Sequence, residues 1–397
     1  MLIRKGYRFC LKPKPHHEAK LRQSSGCSRF VWNKALAIQK ERLANKQFYL
    51  SYNELAGLLV DWKKDRDLCF LSAVHSQPLQ QTLKDLYRAI RDAFDKTSRF
   101  PKFKKKGTHD SFRYPQSFVI NGNVIYLPKI GWVPFFKSRE IEGTPKNITV
   151  SRHGKHWYVA IQVEIEVADP VHPSKNAVGI DMGVTRFATL SNGTFFEPLN
   201  SLKTLGTKLA KQQRKLFQKV KFSKNWHKQR ARVNAVHARI AAARKDYLHK
   251  ISTTISKNHA LVAMEALKVI NMSSTARGTK ENPGKKVRQK SALNKAILDQ
   301  GWYEFRRMLD YKQWWRGGHL VVVPPQHTSQ RCPECGHIHP NNRSSQSVFR
   351  CLRCRYTANA DYVAALNILA AGHAVLACGE VGAVRPLDEA GTRKEAA

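Results

Sequence analysis

The chain has 397 residues with 69 Lys+Arg against 29 Asp+Glu, a formal net charge of +40, and 42% of it is hydrophobic with 10% aromatic residues. That apolar content excludes a disordered polycation and allows two or three domains, at ~100–200 residues each, while the charge demands a polyanion along the surface, so nucleic acid is the expected partner and a merely solvated basic surface is the weaker reading. No apolar run of about 18 residues occurs and the opening MLIRKGYRFCLKPKPHH lacks the apolar stretch of a signal peptide, which points to a cytosolic or nuclear protein.

In chain order, Tyr7–Leu11 alternates like a strand, Pro13 and Pro15 break it, and a helical pattern runs through Phe30-Val31-Trp32. From about 41 to 98 the pattern is helical, with Leu79, Leu83, Leu86, Ile90 and Phe94 on one face. The basic loop 99–107 follows, in which Phe100 and Phe103 interleave with Lys102, Lys104, Lys105 and Lys106. Residues 112–168 read as short strands separated by NG and HG turns, among them Phe118–Ile120, Val124–Leu127 and Trp157–Ile161. A Pro/Ser/Lys linker at 169–175 opens the second half.

There, three antiparallel strands with tight turns are expected over 178–196. Residues 203–250 carry fifteen Lys/Arg and one acid, Asp246, over a helical pattern with apolar Val233, Val236, Ile240, Ala243, Tyr247 and Ile251, so one face packs and the other meets phosphate. A buried strand at 260–264, a Gly/Lys-rich stretch at 273–290 without periodicity, a helix at about 291–316, a strand at 320–323 and a last helix at about 360–371 complete the pattern.

In so basic a chain, a carboxylate within an apolar strand needs a reason, because an unpaired buried charge costs several kcal/mol. Asp181 lies between Ile180 and Met182, Glu265 ends the strand 261–264, and Asp361 opens the last helix after Asn359. Two have a plainer explanation: an ion pair with Lys or Arg for Asp181, favourable placement at a helix N-terminus for Asp361. The acids are 84 and 96 residues apart, and the spacing alone does not bring them together. In-line hydrolysis of a phosphodiester gives a reason for convergence, since it uses two Mg²⁺ ions about 3.5–4 Å apart held by carboxylates.

Four of the eight cysteines form two pairs, Cys332/Cys335 and Cys351/Cys354, fifteen residues apart. That is the spacing of a four-thiolate zinc ribbon, with Gly336 where a knuckle turns, and four sulfurs around one ion leave no open position, so the zinc is structural.

The stretches VGIDMGVTRFATLSNG at 178–193, LVAMEALKV at 261–269, HTSQRCPECG at 327–336, CLRC at 351–354 and NADYVAALNIL at 359–369, with RFVWNKAL and PKFKKKGTHDSFRYP upstream, closely resemble the TnpB family of bacterial insertion sequences, which is similar to compact type V CRISPR effectors. The resemblance implies an α/β plus β-barrel architecture. A wedge-type β-barrel at 1–40 and 113–170 would carry a helical recognition lobe at 41–112, and a split RuvC, RNase H-like nuclease domain at 176–327 and 358–378 would hold a zinc ribbon at 328–357. Residues 379–397 read as a disordered tail. It further implies that Asp181, Glu265 and Asp361 bind two catalytic Mg²⁺, that the four cysteines bind one structural Zn²⁺, and that a guide RNA from the transposon end directs cutting of double-stranded DNA beside a short flanking motif. The location implied is the bacterial cytoplasm, at the nucleoid. Lys102, Lys104, Lys105, Lys106, Arg214, Lys215, Arg230 and Arg232 are the candidate nucleic-acid contacts. A regulator of transposition that binds without cutting, and a transposase, are the alternatives.

Overall fold

The computed structural model describes residues 1–108 and 110–378, so the tail expected at 379–397 lies outside the described residues. The chain divides into two units, Met1–Ala168 and Asp169–Ala397.

In the first unit β1 (Leu2–Leu11) alternates as expected, with Ile3, Phe9 and Leu11 buried. After α1 (Pro15–Ala44), α2 (Tyr52–Lys64), a 3-10 turn (Arg66–Ala73) and α3 (Ser76–Phe94) come β2 (Ser111–Tyr114), β3 (Val119–Asn121), β4 (Val124–Leu127), β5 (Gly131–Phe136), β6 (Thr144–His153) and β7 (His156–Glu166). The strands form one antiparallel sheet in the order β2-β6-β7-β1-β5-β4-β3, with Leu2 opposite Glu166 and Cys10 opposite Tyr158. The sheet curls as a half-barrel, since Phe112, Ile148, Trp157, Phe9, Phe135 and Ile125, from six strands, share one core. Its NG and HG turns put Gly122 and Gly154 at φ of 54° and 61°, the left-handed first loop position that a two-residue hairpin assigns to glycine.

The helical part departs from expectation at its start. A division between residues 40 and 41 would cut through α1, which is continuous for 30 residues. Leu21 of that helix packs into the sheet core, whereas Cys27, Val31, Trp32, Ala35 and Leu36 pack against α2 and α3. One helix therefore serves both cores, and composition could not show where it changes partner. The face of α3 is as expected for Leu79, Leu83, Leu86 and Ile90, all fully buried. Phe94 is half exposed, its ring stacked on Tyr49 at 5.3 Å.

The second unit begins with β8 (Ala177–Asp181), β9 (Ala188–Leu190) and β10 (Phe195–Phe196), followed by α4 (Ser201–Phe217), α5 (Lys224–Asn258), β11 (Leu261–Glu265), α6 (Val269–Met272), α7 (Val287–Gln300), α8 (Trp302–Arg316) and β12 (His319–Val323). A small hairpin of β13 (Val348–Arg350) and β14 (Thr357–Asn359) precedes α9 (Ala360–Ala377). The central sheet runs β10-β9-β8-β11-β12; β9 is antiparallel to both β8 and β10, and β11 and β12 run parallel to β8. This is the split RuvC, RNase H-like arrangement. The carboxyl ends of the parallel strands β8 and β11 point the same way, which is where an open α/β sheet presents ligand-binding groups.

The single helix expected over 291–316 is two. Gly301, at φ 72°, ends α7 and starts α8. The packed stripe of α5 also differs: Ala243 is exposed, and the buried positions continue from Ile240 to Leu248, Ile251 and Ile255. Between them Arg244 reaches Asp299, a buried acid that also accepts from Ser201 Oγ and Leu202 N–H at the start of α4. Asp299 is thus a structural knot between helices. Helix α9 is the one helix among the described residues long and apolar enough to cross a membrane. It lies instead on the sheet, where a Cβ on Gly179 would stand 2.1 Å from the Ala365 carbonyl and one on Gly372 2.5 Å from Ala263 Cβ.

Candidate active site and metal centre

Asp181 is the last residue of β8, opposite Thr189 of β9, one position nearer the strand end than a mid-strand reading would have it. Glu265 is the last residue of the parallel neighbour β11. Asp361 is in the first turn of α9, whose cap Asn359 accepts from the N–H groups of Asp361 and Tyr362 at 3.0 and 3.3 Å. The glycine contacts that seat α9 on β8 hold Asp361 to the same end of the sheet.

Burial is the main cause that pushes the Asp181 carboxyl up to about 7, and the neighbouring Glu265 and Asp361 charges add to it against the opposing Arg343 guanidinium. Glu265 is also raised, first by burial, and is held back by a hydrogen bond from Thr328 and by Arg343. Carboxylates from distant parts of the chain therefore act on Asp181 at one end of the sheet, and carboxylate oxygens are the donors that a hard divalent cation takes.

Two residues at this site escaped the sequence reading. Thr328 donates its hydroxyl to Glu265 Oε1 at 2.5 Å, and its own carbonyl accepts from Asn367 Nδ2 of α9 at 2.7 Å. Arg343 donates to Asp361 Oδ1 at 3.3 Å and to the Gln346 carbonyl at 2.8 Å. Both come from the segment between β12 and α9. The only sequence signal for either was its neighbourhood: Thr328 precedes the first cysteine pair, and Arg343 lies between the two pairs.

That segment is organised around the cysteines. The four sulfurs of Cys332, Cys335, Cys351 and Cys354 lie within 4.8 Å of one another, a cluster able to hold a metal ion. Both knuckles turn alike, with Gly336 N–H on the Cys332 carbonyl and Arg355 N–H on the Cys351 carbonyl, each 3.0 Å, at φ of 71° and 61°. Burial raises the Cys351 thiol, but N–H groups of Cys354 and Arg353 outweigh it and bring it down to about 6. Asn342, fully buried, ties the knuckles together: its Nδ2 donates to the Gln330 and His337 carbonyls and its Oδ1 accepts from Leu352 N–H. The next residue is Arg343, so the thiol cluster sets where the guanidinium is anchored.

The basic candidates fall in both units. In the first, Lys102, Lys105 and Lys106 are exposed, while Lys104 is occupied: its ammonium stands 3.6 Å from the Trp32 ring centroid. Trp32 Nε1 and Asn33 hold the loop to α1 through the Lys102 and Lys104 carbonyls. In the second, Arg214 and Lys215 are exposed on α4 and Arg230 and Arg232 on α5. Arg232 lines a groove of about 320 Å³ between these helices with Lys208 and Arg239.

An RNase H-like sheet with acids at the ends of two parallel strands and of an abutting helix, beside a four-thiol ribbon, defines the class. Family models agree with it. Residues 160–276 match a family described as "Probable transposase" and residues 302–368 a "Cas12f1-like, TNB domain". Residues 1–47 match a "Helix-turn-helix domain", although here they fold as one strand and one long helix. The "Putative RNA-guided DNA endonuclease InsQ" of Escherichia coli (strain K12) is 52% identical over 96% of both chains. A "Putative RNA-guided DNA endonuclease" of Streptomyces pristinaespiralis is 34% identical over 98% of this chain and 93% of its own. A cryo-EM structure of a Cas12f1–sgRNA–target DNA complex aligns with 92% of this chain and 99% of that one, at 17% identity and a TM-score of 0.34. The chain belongs to the TnpB family.

Proposed function

We propose that this chain is a metal-dependent, RNA-guided DNA endonuclease that hydrolyses phosphodiester bonds of double-stranded DNA. The observation that carries the reading is the placement of Asp181, Glu265 and Asp361 at one end of the sheet, near enough for the latter two charges to act on Asp181. Identity to relatives named as RNA-guided endonucleases over nearly the whole chain supports it.

In this reading the three carboxylates hold two Mg²⁺, which when bound supply a nucleophilic water and stabilise charge on the attacking and leaving oxygens. The chain's own residues do the rest. Thr328 fixes the rotamer of Glu265, and Asn359 and the α9 N-terminus fix Asp361. Arg343 offers a cation beside the acids, suited to a phosphate oxygen that approaches them. Cys332, Cys335, Cys351 and Cys354 hold one Zn²⁺ as a closed structural site, a reading that the cluster of four sulfurs supports.

Sequence recognition falls to base pairing between guide and target, with the protein reading a short flanking motif. The curled sheet of the first unit acts as wedge and its helices as recognition lobe. Lys102, Lys105, Lys106, Arg214, Lys215, Arg230 and Arg232 supply phosphate contacts, and Lys104 braces the loop that carries its neighbours. The protein works in the bacterial cytoplasm at the nucleoid.

The test is to purify the protein from cells carrying its native locus, sequence the RNA that accompanies it, and assay cleavage of plasmids with a matching target. A discrete RNA ending at the transposon boundary and Mg²⁺-dependent cutting that Asp181→Asn abolishes are expected. A mixture resembling total cellular RNA, or strand transfer of transposon ends by the protein alone, would overturn the reading.

A further inference from the structure

The turn joining α4 to α5 carries aromatic side chains that no core takes up. Phe217 ends α4 at 93% exposure, and Phe222 in the turn is 66% exposed. The Ser223 N–H closes the turn on the Val220 carbonyl at 3.1 Å, which puts Phe222 at its third position with φ 70°. That is the left-handed position a tight turn reserves for glycine or asparagine. A bulky ring there is strained, and its exposure shows that burial does not offset the strain.

Instead Phe222 meets the half-buried Trp226 at 5.4 Å, and the Arg230 guanidinium lies 5.3 Å over the same indole. The Lys221 ammonium stands 5.3 Å over the Phe222 ring, Lys219 and Lys224 adjoin in sequence, and no acid occurs between Glu197 and Asp246. A second copy of this chain would bring an identical basic tip, which like-charge repulsion disfavours. Bases within a duplex are already stacked and present no open face, whereas unpaired bases stack readily on aromatic side chains with cations on the adjoining phosphates.

We propose that Phe217, Phe222 and Trp226 form a stacking site for an unpaired base of single-stranded RNA, with Lys219, Lys221 and Lys224 on the neighbouring phosphates. The choice of RNA rests on the proposed function; the site's geometry does not. Cleavage plays no part in the test, so a failed nuclease reading leaves it standing or falling by itself.

The full-length protein, stripped of RNA in high salt, is irradiated with a 12-nucleotide oligouridylate carrying 5-iodouracil, and cross-linked peptides are mapped by mass spectrometry. In parallel, affinities for oligouridylate, oligodeoxythymidylate and RNA duplex are measured for wild type and Phe222→Gly, a variant whose new residue suits the backbone and so keeps the fold. Cross-links are expected within 217–226, and Phe222→Gly is expected to weaken oligouridylate binding about fivefold or more. Duplex affinity and the salt dependence should stay unchanged, because no phosphate contact is lost. Lys219→Gln with Lys221→Gln should instead flatten the salt dependence, by roughly 0.7 per phosphate contact removed. Cross-links confined to other peptides, equal losses on duplex, a loss restricted to the DNA oligomer, or a changed affinity for anionic vesicles or for a second copy with oligouridylate unaffected would overturn the proposal.

Discussion

Asp181 couples charge to stability in the metal-free protein. Its carboxyl is pushed up to about 7 in the fold, above its ordinary 3.8 in the unfolded chain, so between those values the folded state binds more protons. Stability therefore falls as pH rises from about 4 to 7 and levels off above, by roughly 4 kcal/mol at most. Asp181→Asn should remove that fall, raise the melting temperature at pH 8 without Mg²⁺, and abolish cleavage; a thermal melt series across pH with and without the substitution measures the first two. Saturating Mg²⁺ should narrow the difference in stability by favouring the ionised cluster. Each acid could be singled out in the sequence as a carboxylate in or beside an apolar segment, but their grouping came from the family resemblance, because the spacing does not bring them together. Arg343 and Thr328 could not be singled out, since a single polar residue in an aperiodic loop carries no signal until the fold shows what faces it.

The contact between α9 and the sheet fixes the site at the level of elements. At Gly179 a methyl group would meet backbone, 2.1 Å from the Ala365 carbonyl, so the helix itself must shift. Gly179→Ala should cost about 2 kcal/mol or more by overpacking and should lower cleavage beyond what lost stability explains, because Asp361 moves with α9. Guided cleavage assayed well below the variant's melting temperature separates the two effects. The thiol ribbon makes a complementary case. Removing metal with a chelator, or Cys351→Ser, should loosen Asn342 and with it Arg343, leaving the central sheet folded while the ribbon amides lose protection in hydrogen exchange. Cysteine spacing announced this element plainly. The junction of α7 and α8 at Gly301 and the shared helix α1 were hidden, because apolar periodicity reports that a face is buried but not against what.

At the scale of the whole molecule, charge dominates. A net +40 repels itself, so the RNA-free protein should melt at higher temperature as salt rises and screens that repulsion. Affinity for nucleic acid should move the opposite way, falling at least tenfold between about 50 and 200 mM salt as counterion release loses its drive. Melting curves and binding isotherms over one salt series test both, and parallel trends would contradict the account.

The order of the acids along the chain has a consequence for synthesis. A ribosome makes the curled sheet, the basic helices, Asp181 and Glu265 before it reaches Asp361. A polypeptide released after Glu265 but before that point keeps the basic helices and lacks the third carboxylate. On the proposed function, such products are binders without a blade, and a cell is exposed to cutting only by chains whose translation has passed Asp361.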